Sequence, residues 1–282
     1  MEKQVLVYQA YGLQDVIRQT MFSILSLLRK IDPTDTLQIW VYTDNKKVFS
    51  DFFGPHPKIQ YVEITTEQIQ KWRGKINFVH RVKVEILRDA GAKFNGSLYY
   101  CDGDTYFLSS PQPLFQKVNS TTSLMHIAEN ALDQGKDPLS KKILKFVKKQ
   151  HFQIKNELVG IGPSTVMWNA GVLGIAEENK KLLPLVLELT DQAYTLYQKH
   201  VMEQLAFSFY LQTRTKILSA DSVIYHYWNQ KNEYQSAIDR FLEETKSVAK
   251  ALESFDQFPF PGPPEPKKKK SLMQKLFLRK KK

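Results

Sequence analysis

Ser97-Leu98-Tyr99-Tyr100-Cys101-Asp102-Gly103-Asp104 is an apolar run that ends in two carboxylates separated by one glycine. Successive side chains of a strand point to opposite faces, so residues two apart point the same way. Asp102 and Asp104 can therefore turn toward one divalent cation, with Gly103 allowing the backbone a close turn around it. Mg²⁺ or Mn²⁺ held by one or two carboxylates completes its shell with water and substrate phosphates, so this short ligand set implies a phosphorylated partner. A second reading is open at this point: Asp and Gly also dominate turns, and the triplet would suit a hairpin.

Working outward, Val5 to Tyr8 reads as a first strand. The helix expected from about Asp15 to Arg29 repeats Ile17, Met21, Ile24, Leu25 and Leu28 at helical spacing. Leu37 to Tyr42 and Ile59 to Ile64 read as further strands, and a helix is expected from about Asn77 to Ala90, stopping at Gly91. Strands and helices in this order predict an α/β fold with a doubly wound, mostly parallel sheet. Ligands in such sheets bind outside the carboxyl ends of the strands, where Asp44, Asp102 and Asp104 fall.

Past Phe107 the pattern changes. Thr121 to Ala128 reads as a strand or short helix, Pro138 to His151 as a basic helix with Ile143, Leu144 and Val147 on one side, and Val166 to Ile175 as one buried strand. The basic helix has two readings, a core-facing helix with a solvated lysine face or a surface for a membrane or acceptor. Helices are expected from about Lys180 to Tyr197, Val201 to Leu211 and Phe241 to Phe258. Pro259 to Pro266 then reads as an extended linker.

The net charge of +11 is uneven: residues 266 to 282 carry nine positive charges and no negative one, leaving +2 on the rest. A nearly neutral body argues against a nucleic-acid groove, and no nucleic-acid partner is expected. Within the tail, Leu272, Met273, Leu276 and Phe277 would share one face of a helix beside Lys275 and Arg279 to Lys282, which suits an anionic membrane surface; the other reading is a solvated, unstructured end. The single cysteine, Cys101, excludes a disulfide-built domain and reads as core. Without a signal-peptide pattern or a run of 18 apolar residues, the expected location is the cytoplasm, peripheral to a membrane through residues 267 to 282.

No Gly-x-Gly-x-x-Gly follows the first strand and no lysine-bearing phosphate loop occurs, which disfavours dinucleotide and P-loop sites. The ordered elements instead resemble the GT-A-fold glycosyltransferases, specifically the retaining, nucleotide-sugar-dependent enzymes of the glycogenin and bacterial lipopolysaccharide galactosyltransferase type. Asp102-Gly103-Asp104 resembles their Asp-x-Asp element, and Trp168-Asn169-Ala170-Gly171 their Asn-Ala-Gly strand. Glu203-Gln204 resembles their Asp-Gln pair, and Val223-Ile224-Tyr225-His226 the element supplying a histidine. The resemblance spans residues 1 to about 235. It implies a Rossmann-like, mostly parallel sheet flanked by helices, with a helical and basic C-terminal extension.

It also implies Mn²⁺ or Mg²⁺ on Asp102, Asp104 and His226, and a UDP-sugar donor contacted by Asp44, Arg81, Lys83, Asp102, Asp104 and Lys231. Asn169, Glu203 and Gln204 are then expected beside the transferred sugar. The expected reaction moves a hexose, with retention, to a saccharide or lipid-linked acceptor. Glu203 stands where the family has aspartate, and Trp228 to Glu233 lacks the family's Gly and Lys-Pro-Trp. An inverting enzyme of this fold and a non-catalytic nucleotide- or glycan-binding member remain open. The expected division is a catalytic domain over residues 1 to 240, in which residues 1 to 108 bind the nucleotide and residues 109 to 240 the acceptor and sugar. A helical extension over 241 to 258, a Pro-rich linker over 259 to 266 and a tail over 267 to 282 are expected to follow.

Overall fold

The computed structural model describes residues 3 to 261. The expected tail, and the linker beyond residue 261, lie outside them.

The first half alternates β1 (Gln4–Ala10), α1 (Gln14–Leu28), β2 (Gln38–Thr43), α2 (Lys46–Phe53), β3 (Ile59–Glu63), α3 (Thr66–Arg73), α4 (Arg81–Lys93), β4 (Ser97–Cys101) and β5 (Thr105–Phe107). Then come α5 (Gln112–Phe115), β6 (Thr122–Met125), β7 (Ala128–Ala131), α6 (Pro138–Val147), β8 (Phe152–Ile154), β9 (Glu157–Val159), β10 (Val166–Trp168) and β11 (Val172–Ile175). The chain continues through α7 (Leu183–Leu196), α8 (Met202–Arg214), β12 (Lys216–Ser219), β13 (Ile224–His226), α9 (Lys231–Thr245) and α10 (Val248–Ser254).

Seven strands form one sheet in the order β12-β6-β11-β4-β1-β2-β3. β4, β1, β2 and β3 run parallel, as do β12 and β6; β11 is antiparallel to both its neighbours. The two-residue strand period sorts the core. Val5, Val7, Leu98 and Tyr100 join the cluster containing buried residues of α4, α7 and α8, whereas Leu6, Tyr8, Tyr99 and Cys101 join the cluster containing those of α1, α2 and α9. Cys101 is fully buried, as expected.

Several sequence expectations need correction. The hairpin reading of Asp102-Gly103-Asp104 fails because β4 lies in the main sheet while β5 pairs with β13. Gly103 is required by a helix: a Cβ there would lie 2.6 Å from Thr20 Oγ1 and 3.3 Å from the Val16 carbonyl oxygen of α1. The expected helix from Asn77 begins at Arg81, after a turn in which Gly74 and Asn77 have φ of +66° and +49°, and it runs through Gly91. Val166 to Ile175 is two strands in two sheets, broken at Asn169-Ala170-Gly171.

At the C-terminal end, α9 starts at Lys231, so the expected boundary at 240 falls within a helix packed on α1. The start of the expected linker is also anchored, because the Phe260 ring lies 4.5 Å from Phe22 and 5.1 Å from Phe241 between centroids. No helix among the described residues is long and apolar enough to cross a membrane.

Candidate active site

A cavity of about 630 Å³ opens beside Asp102 at the carboxyl end of β4. The strand alternation carries into the site: Tyr100 and Asp102 share a face, and the Tyr100 hydroxyl donates to Asp102 Oδ1 at 2.6 Å. Asp104 leads into β5, whose antiparallel partner β13 ends at His226 opposite Thr105. That pairing joins residues from distant parts of the chain into one group. Asp102, Asp104 and His226 each offer a ligand atom within 4.8 Å of the others.

The orientation of His226 is fixed from behind. Its Nδ1 lies 3.0 Å from Asn169 Oδ1, an oxygen that also accepts from the Gly171 amide at 2.9 Å. An amide oxygen can only accept, so Nδ1 carries the proton and Nε2 presents a lone pair when the ring is neutral. Nε2 lies 3.3 Å from Asp104 Oδ1 and 3.9 Å from Asp102 Oδ2. A lone pair facing two carboxylates is repulsive, and the repulsion is relieved either by a second proton on the ring or by a cation between the three groups. This donor set therefore fits a divalent metal, with Asn169 as the partner that orients the imidazole. Gly171 supplies the room, since a Cβ there would come within 2.3 Å of the His226 ring.

Lys83 is buried beneath this group. Its Nζ lies 3.3 Å from Asp102 Oδ1, 3.3 Å from Glu203 Oε1 and 3.1 Å from the Ala170 carbonyl oxygen. Burial alone would depress the lysine pKa, but Asp102 and Glu203 outweigh it and the net direction is upward. Lys83 thus stays charged and holds Asp102 and Glu203 together. Burial would likewise raise the Asp104 carboxyl, yet His226 in its protonated form and then Lys231, whose Nζ is 2.9 Å from Oδ2, hold it well below the usual carboxylate range.

Farther along the cavity Gln204 donates from Nε2 to Glu129 Oε2 at 3.1 Å, so its carbonyl oxygen remains to meet a partner. Burial raises the Glu129 pKa.

No protein-family model matches the chain, and no curated protein matches it. Among solved structures it is similar to the galactosyltransferase LgtC in complex with donor and acceptor sugar analogs. The TM-score is 0.53 and the identity 13%, over 77% of this chain and 73% of that one. An active-site glutamine-to-glutamate variant of LgtC aligns with the same TM-score, 0.53, and the same coverage, 77% and 73%, at 14% identity. The fold is GT-A.

The GT-A fold brings together most of the residues singled out from sequence: Lys83, Asp102, Asp104, Asn169, Glu203, Gln204, His226 and Lys231 all line the cavity. Two lie elsewhere. Arg81 does not face the cavity, because its guanidinium is bound to Asp191 at 2.7 and 3.1 Å, Glu85 at 2.8 Å and the Trp72 carbonyl oxygen at 2.7 Å. Asp44 is exposed at the end of β2 and accepts the Gly12 amide at 3.0 Å, outside the cavity wall.

Sequence reasoning missed Glu129, His80, His200 and Trp228, which also line the cavity of the GT-A fold. The two histidines and Glu129 carry no local signal. An exposed Trp228 two residues after His226 was the one cue available.

Proposed function

We propose that this chain is a metal-dependent glycosyltransferase that moves a hexose from a nucleotide sugar, a UDP-sugar in the first instance, to a saccharide or lipid-linked acceptor with retention. The observation that carries this reading is His226 Nε2, oriented by Asn169 toward Asp102 and Asp104 at the mouth of the cavity. Asp102, Asp104 and His226 hold Mn²⁺ or Mg²⁺, which when bound supplies positive charge to the departing diphosphate. The GT-A fold, and a solved relative bearing donor and acceptor sugar analogs, support the same assignment.

Each residue then has a task. Lys231 starts α9 on the cavity wall beside Asp104 and offers its cation to the diphosphate oxygens. Lys83 bridges Asp102 and Glu203 and so sets the position of the first carboxylate. Glu203 and the Gln204 carbonyl oxygen stabilise positive character at the anomeric carbon, as carboxylates do in glycoside hydrolysis. The bond from the anomeric carbon to the diphosphate oxygen breaks while the acceptor oxygen bonds on the same face, and the acceptor's hydroxyl proton passes to the departing phosphate oxygen. No separate strong base is needed.

The first test is a binding panel of nucleoside diphosphates and UDP-sugars with and without Mn²⁺, for the wild type and Asp104→Ala. Metal-dependent binding of one nucleotide that disappears in the variant is the expected result. Failure of every nucleotide to bind in a metal-dependent way would refute the transferase assignment. With a donor and acceptor in hand, the anomeric configuration of the product distinguishes retention from inversion.

A further inference from the structure

Helix α6 begins at the cavity and leads away from it. Asp137 caps the helix, its carboxylate accepting the Leu139 and Ser140 amides at 2.9 and 3.0 Å, and Leu139 in the first turn lines the cavity wall. The inner face is used up by the fold: Ile143 and Val147 are buried, and Leu144 and Phe146 pack against the same core. The outer face carries Lys141, Lys142 and Lys145, and the turn that follows the helix adds Lys148 and Lys149, all exposed. Among the described residues the ion pairs are made by other side chains, and none of these five lysines has one.

Like charges three and four apart on a helix repel, and here Lys145 stands within that spacing of the other four lysines. Elsewhere Lys47 is matched by Asp51 and Lys93 by Asp89 at i,i+4, while Lys71 of α3 and Lys250 of α10, unpaired among the described residues, stand without other lysines three or four residues away on their helices, so the clustering sets α6 apart. The α6 face and the turn after it form a concentrated positive strip without ion pairs among the described residues.

We propose that this strip binds the anionic portion of the saccharide acceptor, a glycan bearing phosphate or carboxylate groups, while its reacting end enters the cavity past Leu139. The proposal rests on the transferase reading of the cavity. Charge complementarity and continuity with the cavity wall identify the partner. A bilayer is disfavoured because helices that lie on membranes add an inserted apolar face to their charge, and the apolar side chains of α6 are committed to the core.

The test uses the full chain and a Lys141→Gln/Lys145→Gln/Lys148→Gln variant; because both carry the basic C-terminal segment, their difference reports α6 alone. Three probes are titrated: an oligogalacturonate, a neutral malto-oligosaccharide, and vesicles of equal parts phosphatidylcholine and phosphatidylglycerol. Circular dichroism and UDP–Mn²⁺ binding serve as controls on folding and on the donor site.

We expect the variant to bind oligogalacturonate about tenfold more weakly at low salt, with the difference shrinking as salt rises, and with UDP–Mn²⁺ binding and vesicle binding unchanged. Equal oligogalacturonate affinity in the two proteins, or none in either, overturns the proposal, as does a loss confined to vesicles, which assigns the strip to a membrane. A chain that fails to bind UDP with Mn²⁺ yet loses oligogalacturonate affinity in the variant overturns the transferase reading while leaving the strip as a polyanion-binding surface.

Discussion

Gly171 has no side chain because the His226 imidazole occupies the space where one would project. Gly171→Ala is expected to push that ring off the line between Asn169 and the two aspartates, and Asn169→Ala to free it to rotate. Each variant should bind Mn²⁺ about 10- to 100-fold more weakly by calorimetric titration. Unchanged affinity in both would show that His226 is not a ligand. Lys83 makes a different prediction. Replacing it with Met leaves two carboxylates facing each other in a buried site, and urea unfolding should show a loss of about 3 to 5 kcal/mol. Adding Glu203→Gln should recover some of that loss; no recovery would mean that the two side chains are not coupled. At this scale the sequence was legible where chemistry is local, as in Asp102-Gly103-Asp104, whereas Asn169-Ala170-Gly171 was reached only through the family resemblance. It was opaque where a partner is remote. Helical spacing places Arg81 on a surface, but nothing near it in sequence announces Asp191.

Helix α4 shows how an element inherits such remote contacts. Arg81 at its start ties it to α7 through Asp191, and Gly91 near its end lets it approach β4 and α7, where a Cβ would meet Leu98 at 3.3 Å and Leu183 at 3.8 Å. Arg81→Ala is therefore expected to lower stability by about 2 kcal/mol in denaturant titrations while leaving UDP–Mn²⁺ affinity unchanged. A selective loss of nucleotide binding would return Arg81 to the donor site. The same contacts explain why helix limits were harder to read than helix existence. Glycine normally signals a helix end because isolated helices pay for it in backbone entropy, whereas in α4 close packing selects it inside the last turn. The stretch from Val166 to Ile175 misled for a related reason: its apolar run is continuous, but Asn169 and Gly171 are needed at the His226 ring, and the strand breaks there. Helix α2 was missed although Phe49, Phe52 and Phe53 recur at helical spacing, because so short a helix gives periodicity too small a window to stand out.

Across the whole molecule, acid should act through His126. Its Nε2 bonds the Ile224 carbonyl oxygen at 3.0 Å, and burial, then the neighbouring His226, push its pKa from 6.5 down to about 4. As pH falls below about 6.5 the unfolded chain takes up a proton that the folded one refuses, so stability falls until about pH 4 and then levels off, by at most about 3 kcal/mol. Urea unfolding in metal-free buffer at several pH values should show this slope, and His126→Gln should reduce it, leaving the part due to His80 and His56, whose pKa values burial also lowers; equal slopes would exclude His126 as a cause. The fold class was legible from the order of strands and helices, but the reversed direction of β11 was not, since strand direction depends on which partner a segment finds. The pairing of β13 with β5 also has a consequence for biosynthesis. Strands β1 to β4 and both aspartates leave the ribosome well before His226, and N-terminal segments generally fold first. The nascent chain therefore carries these four strands through about 120 further residues of synthesis without the third member of the candidate metal site, and a messenger truncated before residue 224 would yield the two carboxylates but not the histidine beside them.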